Sequence, residues 1–214
     1  NEWGVICLYR NIQGILEDEP IWTSVESAGT FEIAWGDYDN DGDLDFYLSK
    51  FRQPVNTASD MRRHDVLHIN SGSYLFDTDF DDLNPNDQDS LLIDFICPDQ
   101  GAQTWTTNFG DFDNDGDFDC LLTETDVASE IFRNDGNGTY VDVSERAGII
   151  DKGYGLSASI GDLNDDGWPD IYVANDFEER DKFWLNNKDG TFTETASSRL
   201  PNMSWASMGS DIAD

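Results

Sequence analysis

Cysteine, histidine and basic residues are all scarce in this chain, and each scarcity removes a class of function. Three cysteines in 214 residues do not make a disulfide framework. No feature of the sequence demands that Cys7 and Cys97 pair, and Cys120 reads as a buried strand residue. The two histidines, His64 and His68, stand in an HxxxH spacing that would face one side of a helix as a zinc pair does. His68 lies in the run VLHIN, however, and in a strand residues four apart are separated by about 13 Å. Both histidines therefore read as ordinary strand and loop residues. Lysine and arginine total 12 against 45 acidic residues, a formal charge of −33, so no basic patch exists to bind nucleic acid or an anionic membrane. The chain has no apolar run of about 18 residues and opens with no leader of the secretory kind, so membrane insertion is not expected. It begins at Asn1 without Met, as either a processed secretory protein or an internal fragment would. No nucleophile elbow, phosphate loop or haem-attachment CxxCH is present. The chain is expected not to be an enzyme.

What is present in excess is aspartate, 34 residues against 11 glutamates. Fourteen of the 34 fall in three nine-residue loops of the pattern DxDxDGxxD or its close variant: DYDNDGDLD at 37–45, DFDNDGDFD at 111–119 and DLNDDGWPD at 162–170. Carboxylates this dense repel one another unless a hard cation sits between them, and an all-oxygen ligand set suits calcium. Outside the loops the acidity is either a solubility or high-salt device or a surface for cations and basic partners.

The loops are spaced as a repeat. MGSDIAD at the end aligns with LSASIGD before Asp162, so a fourth copy opens at Asp214 and the steps between first aspartates are 74, 51 and 52 residues. A period near 50 belongs to propellers and solenoids. Before each loop lies an alternating strand pattern: Phe31, Ile33, Trp35; Trp105, Thr107, Phe109; Leu156, Ala158, Ile160; and Met208, Ser210, Ile212. After each loop comes an apolar strand, FYLSK, CLLTE or IYVAN. A third column, ICLYRN, VLHIN, EIFRN and KFWLN, ends each time in asparagine and places His68 with Tyr9, Phe132 and Trp184, and Cys120 falls with Phe46 and Ile171. Asn-Gly and Asp-Gly turns then open a hairpin. The unit is strand, loop, strand, hairpin, strand, about the size of a four-stranded propeller blade. Helix has only a minor place.

GDYDNDGDLDFYL, EIFRNDGNGTYVDVSERAGI and FWLNNKDGTFTETAS resemble the FG-GAP/VCBS repeats of integrin-like calcium-binding β-propellers, especially the bacterial secreted branch related to cartilage acidic proteins and UnbV-type proteins. The resemblance implies an all-β propeller, commonly of seven blades, with calcium in the inter-strand loops and a role in adhesion or assembly. The chain departs from that pattern in holding about four repeats, an incomplete propeller spanning 1–214, and in carrying Asn164 at a ligand position.

Loop chemistry assigns the ligands independently. Side chains at positions 1, 3 and 5, the backbone carbonyl at 7, a carboxylate at 9 able to bind bidentately and one water make seven oxygens, a normal number for calcium. The metal residues are then Asp37, Asp39, Asp41, Asp43 and Asp45; Asp111, Asp113, Asp115, Asp117 and Asp119; Asp162, Asn164, Asp166, Trp168 and Asp170; and Asp214, whose loop residues beyond 214 would complete. Gly42, Gly116 and Gly167 at position 6 allow the sharp turn. An EF-hand would need glutamate at position 12, where this chain has Leu48, Leu122 and Val173. Magnesium, which wants strict six-fold geometry, fits poorly.

The first repeat carries two insertions, about 50–63 and 82–104. The first holds Lys50, Arg52, Arg62 and Arg63; they are either binding loops on a rigid scaffold or tolerated surface additions. The expected function is a calcium-stabilised, non-catalytic extracellular binding, adhesion or assembly module, placed outside the cell, on its surface or in the periplasm. Its partner would be a protein or glycan on an exposed loop face, or copies of itself. Two alternatives are a structural subunit of a larger extracellular assembly or filament, and the propeller domain of a larger secreted enzyme. Because the chain starts inside one repeat and stops on the first ligand of another, it is expected to be part of a longer protein or a piece that neighbours complete.

Overall fold

Alternating apolar residues before each Asp-rich loop and the apolar run after it become paired antiparallel strands in the computed structural model. The structure describes residues 7–20, 22–23, 30–37, 40–50, 66–68, 70, 104–136, 140–150, 152–176, 179–200, 202–204 and 206–212. In chain order the strands are β1 (Cys7–Leu8), β2 (Asn11–Ile12), β3 (Ile15–Leu16), β4 (Trp22–Thr23), β5 (Thr30–Gly36), β6 (Asp45–Lys50), β7 (Val66–His68), β8 (Thr104–Gly110), β9 (Asp119–Ala128), β10 (Glu130–Asn134), β11 (Tyr140–Asp142), β12 (Lys152–Gly161), β13 (Asp170–Asn175), β14 (Lys182–Asn186) and β15 (Phe192–Glu194). Two one-turn helices, α1 (Ser144–Ala147) and α2 (Ala196–Arg199), follow β11 and β15. The insertions beyond Lys50 and up to Gln103, together with Asp39, His64, Cys97 and Asp214, lie outside the described residues.

The second repeat is a four-stranded antiparallel sheet ordered β8-β9-β10-β11, and the third is its copy, β12-β13-β14-β15. The first repeat shows β5-β6-β7, while β1 pairs β4 and β2 pairs β3. This is an all-β fold of blade-like units, an incomplete propeller among the described residues. Register repeats from unit to unit. Gly36, Gly110 and Gly161 each pair with the aspartate that ends the loop, Asp45, Asp119 and Asp170. Each inner strand also slips register at one place, between Thr30 and Glu32, Thr104 and Thr106, and Gly155 and Ser157. A bulge recurring at the same offset is a feature of the repeat rather than a local defect.

Packing explains why the strand after each loop is apolar on both faces. Cys120 and Leu122 of β9 pack with Tyr47 of the first repeat, whereas Leu121 packs with Ile171, Val173 and Trp184 of the third. The second blade is thus covered on two sides, so in β9 alternation gives way to a continuous apolar run. Leu121 and Leu122 are fully buried, each contributing roughly 1.5–3 kcal/mol of burial. The register places Phe46 opposite His68, Cys120 opposite Phe132 and Ile171 opposite Trp184, the column expected from the sequence. His68 is buried and stacks on Phe46, centroids 4.6 Å apart. Tyr9 departs from that column: it lies past β1 and is 41% exposed.

Blades meet through a second repeated contact. A Cβ placed on Gly36 would lie 3.3 Å from Phe109, on Gly110 3.1 Å from Ile160, and on Gly161 3.3 Å from Ile212. The bare glycine at the end of each inner strand therefore seats a large side chain of the following repeat. Hydroxyls join the same faces, Ser49 to Thr107 at 2.6 Å and Ser159 to Ser210 at 2.8 Å.

Two expectations change. Residues 206–212 form no strand, and Met208 is 75% exposed; the other inner strands take their ladder from the strand after the loop, and 206–212 makes no such ladder. Strands β9 and β12 run to ten residues each and pair across the repeat boundary, Thr125 with Tyr154 and Ala128 with Lys152. This joins the second and third blades into one sheet, a pairing that no period in the sequence announces.

Candidate metal loops

The loops keep one backbone shape three times. Position 4 is left-handed in each, Asn40 at φ 59°, Asn114 at 56° and Asp165 at 61°, and so is the position 6 glycine, Gly116 reaching 101°. Asparagine and aspartate tolerate that region better than other residues with a side chain, which accounts for their use at position 4.

Backbone amides hold the carboxylates in place. Asp111 accepts from the amides of Asp115 and Gly116 at 3.0 and 3.1 Å. Asp162 accepts from Asp166 and Gly167 at 2.9 and 2.6 Å, and Asp37 accepts from Gly42 at 3.0 Å. At position 5, Asp41, Asp115 and Asp166 each accept from the amide two residues on. In the second loop these contacts leave carboxylate oxygens of Asp111, Asp113 and Asp115 within 4.8 Å of one another.

Among the described residues, three loop oxygens are buried with no hydrogen-bond partner: Asp37 Oδ1, Asp113 Oδ1 and Asn164 Oδ1. They belong to positions 1 and 3, both assigned as ligands from the sequence. A buried acceptor without a donor is costly, and a cation at the loop centre would satisfy it. The donor set, oxygen throughout, fits calcium.

Position 9 does more than the sequence suggested. Asp45, Asp119 and Asp170 are at most 1% exposed. One oxygen of Asp119 accepts from Asn134 N at 2.8 Å and the other from Phe112 N at 2.8 Å. Asp170 does the same with Asn186 at 2.9 Å and Leu163 at 3.0 Å, and Asp45 accepts from Asn70 at 2.7 Å. The carboxylate thus ties the loop's entry to the end of the third strand, so any metal bond it makes uses its remaining lone pairs. The asparagines that close the third column also donate from their side chains to the carbonyl at position 8: Asn70 to Leu44, Asn134 to Phe118 and Asn186 to Pro169. Their recurrence in the sequence was the signal for this role, which sequence reasoning left unassigned.

Electrostatics follows from the same burial. Desolvation pushes Asp119 up to about 7, against the two amides that favour its ionised form. Burial, then the charges of Asp115 and Asp111, raises Asp113, and burial raises Asp170. Asp162 moves the other way, lowered by the amides of Asp166 and Gly167. A cleft of about 200 Å³ opens beside the second loop, lined among others by Asp113, Asp119, Arg133, Arg146, Trp168 and Lys188.

Antiparallel blades whose first two strands are joined by Asp-rich turns define a repeat protein, and in the second loop Asp111, Asp113 and Asp115 could hold a metal ion. Residues 111–173 and 162–214 match the FG-GAP-like repeat. The second half of the chain is thus similar to the FG-GAP-like repeat, and β5, β6 and β7 around the 37–45 loop follow the same strand order. No curated protein matches the chain. FG-GAP repeats occur in extracellular binding and adhesion propellers, and no helix among the described residues is long and apolar enough to cross a membrane.

Proposed function

We propose that the chain is a calcium-stabilised extracellular module that binds or adheres rather than catalyses. The observation that carries this reading is the set of buried, partnerless oxygens Asp37 Oδ1, Asp113 Oδ1 and Asn164 Oδ1 inside loops otherwise closed by their own amides. Backbone hydrogen bonds pre-shape each loop for a cation at its centre. Position 1, 3 and 5 side chains would hold the ion with the carbonyl at position 7 and the carboxylate at position 9, and calcium would supply charge neutralisation rather than reactivity. Support for a non-catalytic role comes from the engagement of the loop carboxylates and from His68, which is packed in the core. The partner is best read as a protein or glycan surface on the loop face, where Arg133, Arg146 and Lys188 gather around the cleft.

Calorimetric titration of the EGTA-stripped chain with calcium tests the reading. One ion per complete loop is expected. Binding no tighter than to an unstructured acidic peptide would overturn it.

A further inference from the structure

We infer that the loops form a coupled row, in which Asn40 and Asn114 are positioning residues that make the calcium affinity of one loop depend on its neighbour. The inference rests on the calcium reading above.

Position 4 is not a ligand in any loop, yet in two of them its side chain spans to the next repeat. Asn40 Nδ2 donates to Asp117 Oδ1, and Asn114 Nδ2 donates to the carbonyl of Gly167 at 3.2 Å. The receiving residues are at positions 7 and 6 of the following loop, the stretch whose backbone carbonyl at position 7 would face the ion. The donating residues stand between ligand positions 3 and 5 of their own loop. The Asn114 bond therefore ties the ligand-bearing stretch of the second loop to the backbone of the third, and the Asn40 bond ties that of the first to the Asp117 side chain of the second, so a shift in one loop as it closes on an ion is passed to the next. A buried bond from Asn186 Nδ2 to the carbonyl of Phe112, 2.8 Å, ties the third repeat back to the second loop.

Left-handed backbone alone would explain asparagine at position 4, since that conformation favours it. It does not explain why both asparagines donate across a repeat boundary. Asp165 has the same backbone, φ 61°, but its side chain has no amide N–H to donate. The third loop therefore cannot extend such a link forward, and the second loop, bonded to both neighbours, is the centre of the row.

The test titrates calcium alone into the EGTA-stripped full chain and into Asn114→Gly and Asn114→Asp. Glycine keeps the left-handed turn and removes the amide; aspartate keeps the size and removes the donor. The wild type should bind cooperatively. Both variants should still bind one ion per loop but without cooperativity, and with affinity at the joined loops reduced roughly three- to tenfold, the range expected for one hydrogen bond. Asn40→Gly should uncouple the first loop in the same way. A wild-type isotherm of independent sites, or variants as cooperative as the wild type, would overturn the inference and leave the calcium reading intact. A wild type that binds no calcium would instead overturn the calcium reading.

Discussion

Removing calcium should destabilise the chain far more than any single surface substitution. At a free concentration about one hundred times the dissociation constant, one bound ion stabilises the native state by about 2.7 kcal/mol. Three loops would then contribute roughly 8 kcal/mol, comparable to the whole stability of a typical domain. In a chain of 214 residues each kcal/mol moves the melting temperature by about 2–4 °C. Excess EGTA should therefore lower the midpoint by roughly 15–30 °C. The loss should also be reversible. Positions 1 and 5 are pinned by backbone amides, so an emptied loop keeps much of its shape and the crowding falls on Asp113 and its neighbours. Differential scanning calorimetry in calcium, in EGTA and after calcium is restored is the assay. An unchanged midpoint in EGTA would refute the reasoning, because it would mean that the buried loop oxygens are satisfied without an ion.

Other outcomes follow from particular residues. The 162–170 loop should empty first under chelation, since Asn164 contributes a neutral oxygen where the second loop has Asp113; Asn164→Asp should delay its release in site-resolved occupancy measurements. Leu121→Ala, which opens a cavity between the second and third repeats, should cost about 2–5 kcal/mol in denaturant unfolding, with calcium held constant. Calcium-free stability should rise as pH falls from about 7 toward 4. Asp119, with Asp113 and Asp170, has its folded-state pKa above the ordinary value, so the folded chain binds protons that the unfolded chain does not; Asp162, shifted down, offsets part of this. In saturating calcium the trend should reverse, because protons compete with the ion for the same carboxylates, and melting curves across that range with and without calcium check both signs.

The features legible in the sequence are those set by spacing along the chain. Loop boundaries, the apolar strand after each loop and the column containing His68, Phe132 and Trp184 all follow from a period of two within strands and about 50 between repeats. Contacts made between repeats were not legible. The bonds from Asn40 and Asn114 require the next loop to stand at a given distance, and Asn at position 4 reads from sequence only as a turn former. Asp119 looked like one more ligand, because its two amide partners come from residues 7 and 15 positions away. The strand expected at 206–212 failed for the same reason: alternation supplies a face, but a ladder needs a partner.

The glycine that ends each inner strand has a consequence for how such a chain can grow. Gly36, Gly110 and Gly161 each receive the bulky residue of the repeat after them, always with the same polarity. Every unit therefore carries a socket for its successor and a plug for its predecessor. Tandem duplication of a whole unit would reproduce a working joint at both ends without inventing a new surface, and deletion of one would reseal by the same fit.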